Sequence, residues 1–233
     1  MSNKAVVVLS GGQDSTICLH WAMTHYKEVM AVTFNYGQTH SIELESARTI
    51  TELNNIPHEI LNIPQILRST SPLTATTQEL ETYDNYEQMD NIIGDRVELT
   101  FVPMRNALFL TIGANYALSK DCRVLITGVC QQDNANYPDC RQEFIWSQQD
   151  TINKALAIND FKIETPLMNL SKKESVYLAQ TMKGCMDSLS YSHTCYAGQY
   201  PPCGKCHSCV LRAQGFKEAG VEDPLITRVN KGI

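Results

Sequence analysis

Short apolar runs the length of β-strands alternate along the chain with longer segments of helical period. Runs at residues 5–9 and 29–36 predict two buried strands, and residues 58–63 are a candidate for a third strand. The segments between them, about residues 17–25 and 41–54, read as helices, the first with an apolar face and the second largely polar. Strands that alternate with helices are typical of βαβ units, whose strands form a parallel sheet. The pattern therefore predicts an α/β fold, a parallel sheet flanked by helices.

This alternation stops in the middle of the chain and then resumes. Residues 65–98 are polar and rich in Thr, Asn and acidic residues, so we predict an insertion or mobile loop that could act as a lid. Helices are predicted near residues 105–118, 143–157, 172–183 and 209–219, with a strand at 123–128 and a short extended piece ending at 165–167. Ser171 and Glu174 have the spacing of a capping box, which marks the start of the third helix in this group.

Composition and charge narrow the class of protein. The 233 residues are 43% hydrophobic and 19% charged, which is ordinary for a soluble globular protein. No apolar run approaches the length of a membrane span, and the N-terminus lacks the features of a signal peptide, so we expect a cytoplasmic protein with no membrane partner. The net charge is −6 and no basic stripe is visible, so we expect no nucleic-acid partner.

A glycine-containing loop with the sequence Ser10-Gly11-Gly12-Gln13-Asp14-Ser15 stands between the first predicted strand and helix. Glycines let a backbone approach an anion closely, and the helix N-terminus behind them presents unpaired N–H groups to phosphates. Ser10 and Ser15 add hydroxyl donors, while Asp14 either caps the helix or helps to hold magnesium. A strand-to-helix turn that merely needs glycines is the alternative. The context favours a nucleotide site, and the missing Gly-Lys-Ser/Thr ending excludes a Walker A loop.

Four of the nine cysteines lie close together near the C-terminus, and the pattern indicates a metal site. Cys203, Cys206 and Cys209 form a C-x-x-C-x-x-C run, and Cys195 precedes it. Four thiolates on a short loop suit a closed tetrahedral site, so we predict one structural zinc per chain in a small lobe at residues 186–233, beside a larger domain at 1–185. An iron–sulfur cluster, unmetallated cysteines, and ligation by His193 or His207 are the alternatives. The remaining cysteines are predicted to be small buried side chains: Cys18, Cys122, Cys130, Cys140 and Cys185.

The glycine loop resembles the SGGxDS signature of the PP-loop ATP pyrophosphatases, which cleave ATP to AMP and pyrophosphate and adenylate an acceptor oxygen. Further blocks resemble the 7-cyano-7-deazaguanine synthase family within that superfamily. They are VTFNYGQTH at 32–40, FVPMRN at 101–106, GVC at 128–130 with YPDCR at 137–141, ETPL at 164–167 with Lys172 and Glu174, and the cysteine cluster. Met104 stands where that family has glycine. The blocks span residues 5–212, nearly the whole chain.

This resemblance implies a Rossmann-like fold of the adenine nucleotide alpha hydrolase type and a reaction in queuosine precursor biosynthesis. In that reaction 7-carboxy-7-deazaguanine, ammonia and two ATP give 7-cyano-7-deazaguanine through an adenylated acid and an adenylated amide. It also implies magnesium with ATP and a homodimer. The implied ATP-binding residues are Leu9, Ser10, Gly11, Gly12, Gln13, Asp14, Ser15, Phe34 and Tyr36. The implied catalytic residues are Asp14, Arg105 and Lys172, with Asn106 orienting one of the charges, and the implied substrate-binding residues are Tyr137, Asp139 and Arg141.

Other functions stay open at this point. A PP-loop enzyme that thiolates tRNA would need a catalytic cysteine and usually a basic surface. A zinc-knuckle module would bind RNA in a salt-sensitive way without ATP turnover. A relative that joins a deazaguanine acid to a protein or DNA would differ only in its product. Arg105 and Lys172 could also be surface charges, and Asp139 could be a helix cap.

Overall fold

A computed structural model of the chain describes residues 3–38, 42–63, 67, 69–74, 79–131 and 136–232. The strands within these ranges pair in parallel throughout and form one sheet in the order β3-β2-β1-β4-β5. Their bounds are β1 Lys4–Val8, β2 Glu28–Asn35, β3 His58–Asn62, β4 Val124–Ile126 and β5 Lys162–Glu164. The predicted parallel α/β sheet is therefore confirmed.

Helices cover both faces of this sheet, which is why its central strands are apolar without alternation. The helices are α1 Gln13–His25, α2 Ile42–Leu53, α3 Tyr86–Ile93, α4 Arg105–Ser119, α5 Gln142–Leu156, α6 Lys172–Thr181, α7 Cys185–Leu189, α8 His207–Ala219 and α9 Pro224–Lys231, with a 3₁₀ turn at Pro138–Cys140. Ala5, Val6 and Val7 of β1 are fully buried, and β4 is buried along its whole length. None of the helices within the described ranges is long and apolar enough to cross a membrane.

The order of the strands defines where a ligand can bind. The chain proceeds from β1 outward through β2 to β3, and then returns to the other side of β1 with β4 and β5. In open α/β sheets of this kind, ligands bind beyond the carboxyl ends of the strands, where the order reverses. The switch point here lies between β1 and β4, so the loop that follows β1 stands at the expected binding position.

Helix α3 lies inside the polar segment in which the sequence indicated no helix. The side chain of Asn85 accepts a hydrogen bond from the backbone N–H of Gln88 and caps α3 at its N-terminus. Only Met89 and Ile93 of this short helix are buried, which is too few apolar positions to produce a visible helical period. Parts of the segment 65–98 lie outside the described residues, as do Thr39 and His40 of the block at 32–40.

The C-terminal part of the chain packs tightly against the sheet domain. Helix α8 crosses α6 at Gly215, where an added Cβ would lie 2.7 Å from the Cβ of Lys172. On another face α8 contributes Val210 and Leu211 to an apolar cluster with the region of α3. The backbone N–H of Tyr83 also donates to the carbonyl of Lys205 at 2.8 Å. The polar segment and the cysteine-bearing region therefore hold each other in place.

Candidate active site

A cavity of about 330 Å³ opens at the carboxyl edge of the sheet, at the switch point. Its floor consists of residues that end β1, β2 and β4, and its walls come from the first turns of α1, α2 and α4. The turn that leads into the cysteine cluster closes one side with Thr194, Cys195 and Tyr196. The predicted site residues that line the cavity are Leu9, Ser10, Gly12, Gln13, Asp14, Ser15, Phe34, Tyr36, Arg105, Tyr137 and Arg141, with Asn106 beside them.

The glycine loop has the backbone that an anion site requires. Gly11 adopts φ +89°, and an added Cβ would lie 2.2 Å from the carbonyl oxygen of Glu43, so only glycine fits there. The backbone N–H of Gly12 donates to Ser10 Oγ at 3.2 Å, and Ser10 Oγ lies 3.0 Å from Ser15 Oγ. Helix α1 begins directly behind, and the N–H groups of a first helical turn have no partner within the helix. The loop thus offers hydroxyls and N–H groups to phosphate oxygens.

A buried ion pair flanks the glycine loop. Lys172 Nζ lies 2.6 Å from Asp14 Oδ2, and the lysine side chain is only 10% exposed. Lys172 stands in the first turn of α6, where the predicted capping box between Ser171 and Glu174 is present. This burial contradicts the alternative in which Lys172 is a surface charge. The lysine does not line the cavity itself but neutralises the charge of Asp14, which does.

Arg105 supplies a cation in the lining of the cavity. It opens α4 directly after Met104, whose φ of +65° lies in the left-handed region that glycine adopts most easily. Burial would lower the pKa of the Arg105 guanidinium, but the neighbouring hydroxyls of Tyr36, Tyr196 and Tyr137 outweigh burial and raise it. Arg105 therefore keeps its charge and is available to a bound anion.

The predicted substrate-binding residues separate into two groups. Tyr137 and Arg141 line the cavity, and the Tyr137 hydroxyl donates to Glu98 Oε2 at 3.0 Å while its ring stacks on Phe101 at 5.7 Å between centroids. Asp139 lies outside the lining. Its Oδ2 accepts from the backbone N–H of Asn106 at 3.3 Å, so it ties the 3₁₀ turn to the start of α4. Burial raises the pKa of the Asp139 carboxyl, and Arg105 and Asn106 lower it.

Two acidic side chains at the site gave no signal in the sequence. Glu43 lines the cavity from the first turn of α2, and burial raises the pKa of its carboxyl to about 7, although Arg105 and His193 oppose that shift. Glu98 is 2% exposed and supports Tyr137 from behind. Neither residue stands in a spacing that indicates a ligand.

The four predicted metal ligands come together in space. The Sγ atoms of Cys195, Cys203, Cys206 and Cys209 all lie within 4.8 Å of one another. Backbone N–H groups of Lys205 and Cys206 donate to Cys203 Sγ at 3.4 and 3.3 Å, which is the support that thiolate ligands of a metal usually receive. Four sulfurs at this separation fit a closed metal site. Of the other cysteines, Cys18, Cys122, Cys130 and Cys185 are buried as predicted, and Cys140 is half-buried.

A glycine loop at the switch point, backed by a helix N-terminus and lacking a Walker lysine, defines an ATP-using enzyme of the PP-loop class. A family comparison narrows this class. The model of the family described as "Queuosine biosynthesis protein QueC" matches residues 4–220. The chain belongs to this family.

Individual relatives agree with the family match over nearly the full chain. A protein of Laribacter hongkongensis named "7-cyano-7-deazaguanine synthase" is 44% identical over 225 residues, which cover 97% of this chain and 95% of the relative. One of Gloeobacter violaceus with the same name is 44% identical, with 95% of each chain covered. Among solved structures, NMN synthetase from Francisella tularensis is a distant likeness, with a TM-score of 0.47 and 17% identity over 99% of this chain and 78% of that chain.

Proposed function

We propose that this enzyme is a carbon–nitrogen ligase that converts 7-carboxy-7-deazaguanine and ammonia into 7-cyano-7-deazaguanine at the expense of two ATP. The observation that carries the proposal is the single cavity shared by the glycine loop, Arg105 and Tyr137. It stands in a chain whose curated relatives are named for this synthase. A phosphate site and an aromatic wall in one cavity suit a reaction that joins ATP to a flat heterocyclic acid.

The chemistry needs two activations on one site. The substrate carboxylate attacks the α-phosphorus of ATP and releases pyrophosphate, and ammonia then displaces AMP from the acyl adenylate to give the amide. The amide oxygen is adenylated in the same way by the second ATP. Loss of AMP and a proton from that adduct forms the nitrile. No covalent bond to the enzyme is needed, so catalysis rests on positioning and on charge neutralisation.

Each role follows from the charge and position of a side chain. The N–H groups and hydroxyls of the loop 10–15 hold the phosphates. Lys172 and Asp14 stand beside them, and Asp14 is the residue that would hold a magnesium ion bound with ATP, which supplies further neutralisation of the phosphates. Arg105 attracts the α-phosphate or the substrate carboxylate, oriented by Asn106. Tyr137 stacks on the deazaguanine, and Arg141 contributes a second positive charge at the rim of the cavity.

The four cysteines are proposed to hold one structural zinc ion per chain. Thiolates are the ligands that zinc favours, and four of them leave no open position for substrate. Cys195 both belongs to this cluster and lines the cavity, so a bound ion would fix the turn that carries Thr194 and Tyr196. We further propose a homodimer in the cytoplasm, with ATP, the deazaguanine acid and ammonia as partners and without nucleic acid.

The test is mass spectrometry of the purified protein with ATP, magnesium, ammonium and 7-carboxy-7-deazaguanine. We expect the nitrile with two AMP per product, and a loss of about 10²–10³-fold in turnover in Asp14→Asn, because that change removes the carboxylate that pairs with Lys172 and would hold the magnesium ion. Asp150→Asn on the exposed side of α5 is the matched control and should leave turnover unchanged. Folded, metal-loaded wild-type protein that makes no AMP would contradict the proposal.

A further inference from the structure

We propose that Glu43 is the residue that recognises the guanine-like edge of the substrate, with its carboxylate accepting from the ring N1–H and the exocyclic amine. This inference rests on the proposed function, since it assigns one end of the deazaguanine to one side chain. The pair of donors on that edge matches the two oxygens of a carboxylate, and such bidentate contacts are specific in geometry.

The backbone of Glu43 is fixed against the nucleotide loop. Its carbonyl oxygen lies where an added Cβ on Gly11 would approach to 2.2 Å, and a Cβ there would also lie 2.9 Å from the N–H of Ala47. Helix α2 and the glycine loop are therefore in close contact along the first turn of the helix. A side chain carried by this turn keeps its position relative to the phosphates, which is what a group that orients substrate against ATP requires.

The cavity offers few carboxylates to accept from a donor edge. Within the described part of the chain, the acidic residues that line it are Asp14 and Glu43. Asp14 Oδ2 is held by Lys172 Nζ at 2.6 Å beside the phosphate loop. Asp139, the acceptor predicted from the sequence, lies outside the lining, and its Oδ2 accepts from Asn106. Glu43 is the acid that remains for a neutral N–H edge.

The surroundings of Glu43 also suit an edge with two donors. Burial removes water from its carboxylate and raises its pKa to about 7, although the charge of Arg105 opposes this shift. Donors from a bound ligand would replace the lost water and favour the ionised form. Arg105 stands on the same cavity and attracts an acid. The substrate carries an acid on its five-membered ring and two N–H donors on its six-membered ring, and the cavity lining supplies a cation and a carboxylate that are complementary to these groups.

The experiment compares Glu43→Gln with the wild type on two substrates. One is 7-carboxy-7-deazaguanine and the other is its analogue without the exocyclic amine. A good bidentate pair discriminates by about 5–150-fold, so we expect the wild-type kcat/KM to favour the amine-bearing substrate by roughly that factor. Glu43→Gln should lose most of this preference. Glu45→Gln, an exposed change on the same helix, is the matched control and should keep it.

Each outcome separates the inference from the proposed function. Wild-type protein without nitrile would defeat the proposed function, whereas nitrile formation with an unchanged substrate preference in Glu43→Gln would defeat the assignment of Glu43. A raised KM for ATP with the preference intact would place this carboxylate on the nucleotide and also overturn the inference. If Glu43→Gln does not fold, Glu43→Asp carries the test, because it keeps the charge and withdraws the oxygens by one methylene; an unchanged preference there contradicts the assignment.

Discussion

The side of the cavity that we propose for the phosphates of the nucleotide (the nucleotide side) and the side that we propose for the substrate (the substrate side) are built in different ways. The nucleotide side is one contiguous loop, residues 10–15, whose N–H groups and hydroxyls belong to neighbours in the chain. The substrate side is assembled from Glu43 on α2, Arg105 on α4 and Tyr137 in the loop before α5. These segments meet only because the sheet brings the ends of its helices and loops to one edge.

This difference determines which part of the cavity can be predicted from the sequence. An anion site made from backbone N–H groups needs glycines at fixed spacing, so the sequence shows it directly. A wall made from single side chains needs only one suitable residue on each of several elements, which leaves no spacing to detect. The cysteine cluster resembles the first case, since its ligands lie within residues 195–209 and their sulfurs converge.

The largest effect is expected at the cluster of four cysteines, whose sulfurs come from one short stretch of chain. Cys206→Ser removes one of four ligands from a buried site, and structural zinc contributes on the order of 10 kcal/mol in isolated zinc-binding peptides. We expect the metal content to fall from one ion per chain to none, with thermal unfolding of the lobe at a much lower temperature. Elemental analysis and calorimetry measure both. Cys140→Ala is the control for metal content and should retain the ion; equal metal loss in both variants would contradict the cluster.

A smaller effect is expected from a substitution at Gly128, which packs against the loop 10–15 although it follows a strand distant in sequence. Gly128 follows β4, and an added Cβ would lie 2.9 Å from the N–H of Ser15 and 3.0 Å from the carbonyl carbon of Asp14. Gly128→Ala should push the loop out of position, weaken ATP binding at least tenfold and cost about 1–3 kcal/mol of unfolding free energy. ATP titration and denaturant unfolding test this. Gly220→Ala has open space at its Cβ and should leave ATP binding unchanged, so equal loss in both would refute a local contact.

The elements of the fold were predictable wherever burial imposed a period. The buried runs of β1 and β2, the partly exposed edge strand β3 and the long helices α1, α2, α4 and α5 appear within a few residues of their predicted bounds, apart from the earlier start of α1. The short helices α3, α7 and α9 were not predicted, since α3 buries two residues and α9 only Leu225. Tertiary contacts rather than a repeating pattern stabilise them.

The site was predictable to the extent that its parts were local. The loop 10–15 and the four cysteines follow from spacing, whereas the pairing of Lys172 with Asp14 joins residues 158 positions apart. Asp139 was implied as a substrate acceptor by the resemblance of the block at 137–141 and by the acceptor chemistry of a carboxylate. Its side chain turns instead to Asn106, where a backbone donor satisfies it. Only the assembled structure distinguishes these two environments.

The smallest effect that we predict concerns the hydrogen bond by which Glu98 supports Tyr137 in the lining of the cavity. The Tyr137 hydroxyl donates to Glu98, a residue 39 positions away whose side chain is almost fully buried. Tyr137→Phe keeps the ring and removes this bond together with the one between the hydroxyl and Thr100 Oγ1, which keeps Glu98 as a partner. One hydrogen bond contributes about 0.5–1.5 kcal/mol, so we expect the KM for 7-carboxy-7-deazaguanine to rise about 2–13-fold with the KM for ATP unchanged. Tyr177→Phe on the exposed side of α6 is the matched control.

A double-mutant cycle separates this support from a direct contact between the Tyr137 hydroxyl and the substrate. If Glu98 acts by holding the hydroxyl, then Glu98→Gln and Tyr137→Phe affect the same interaction. The free-energy change calculated from the KM of the double variant should then be smaller than the sum of the changes in the two single variants. Additive effects would mean that the hydroxyl and the buried acid act independently. The substrate side would then consist of side chains that act independently, unlike the loop 10–15, whose groups bond to one another.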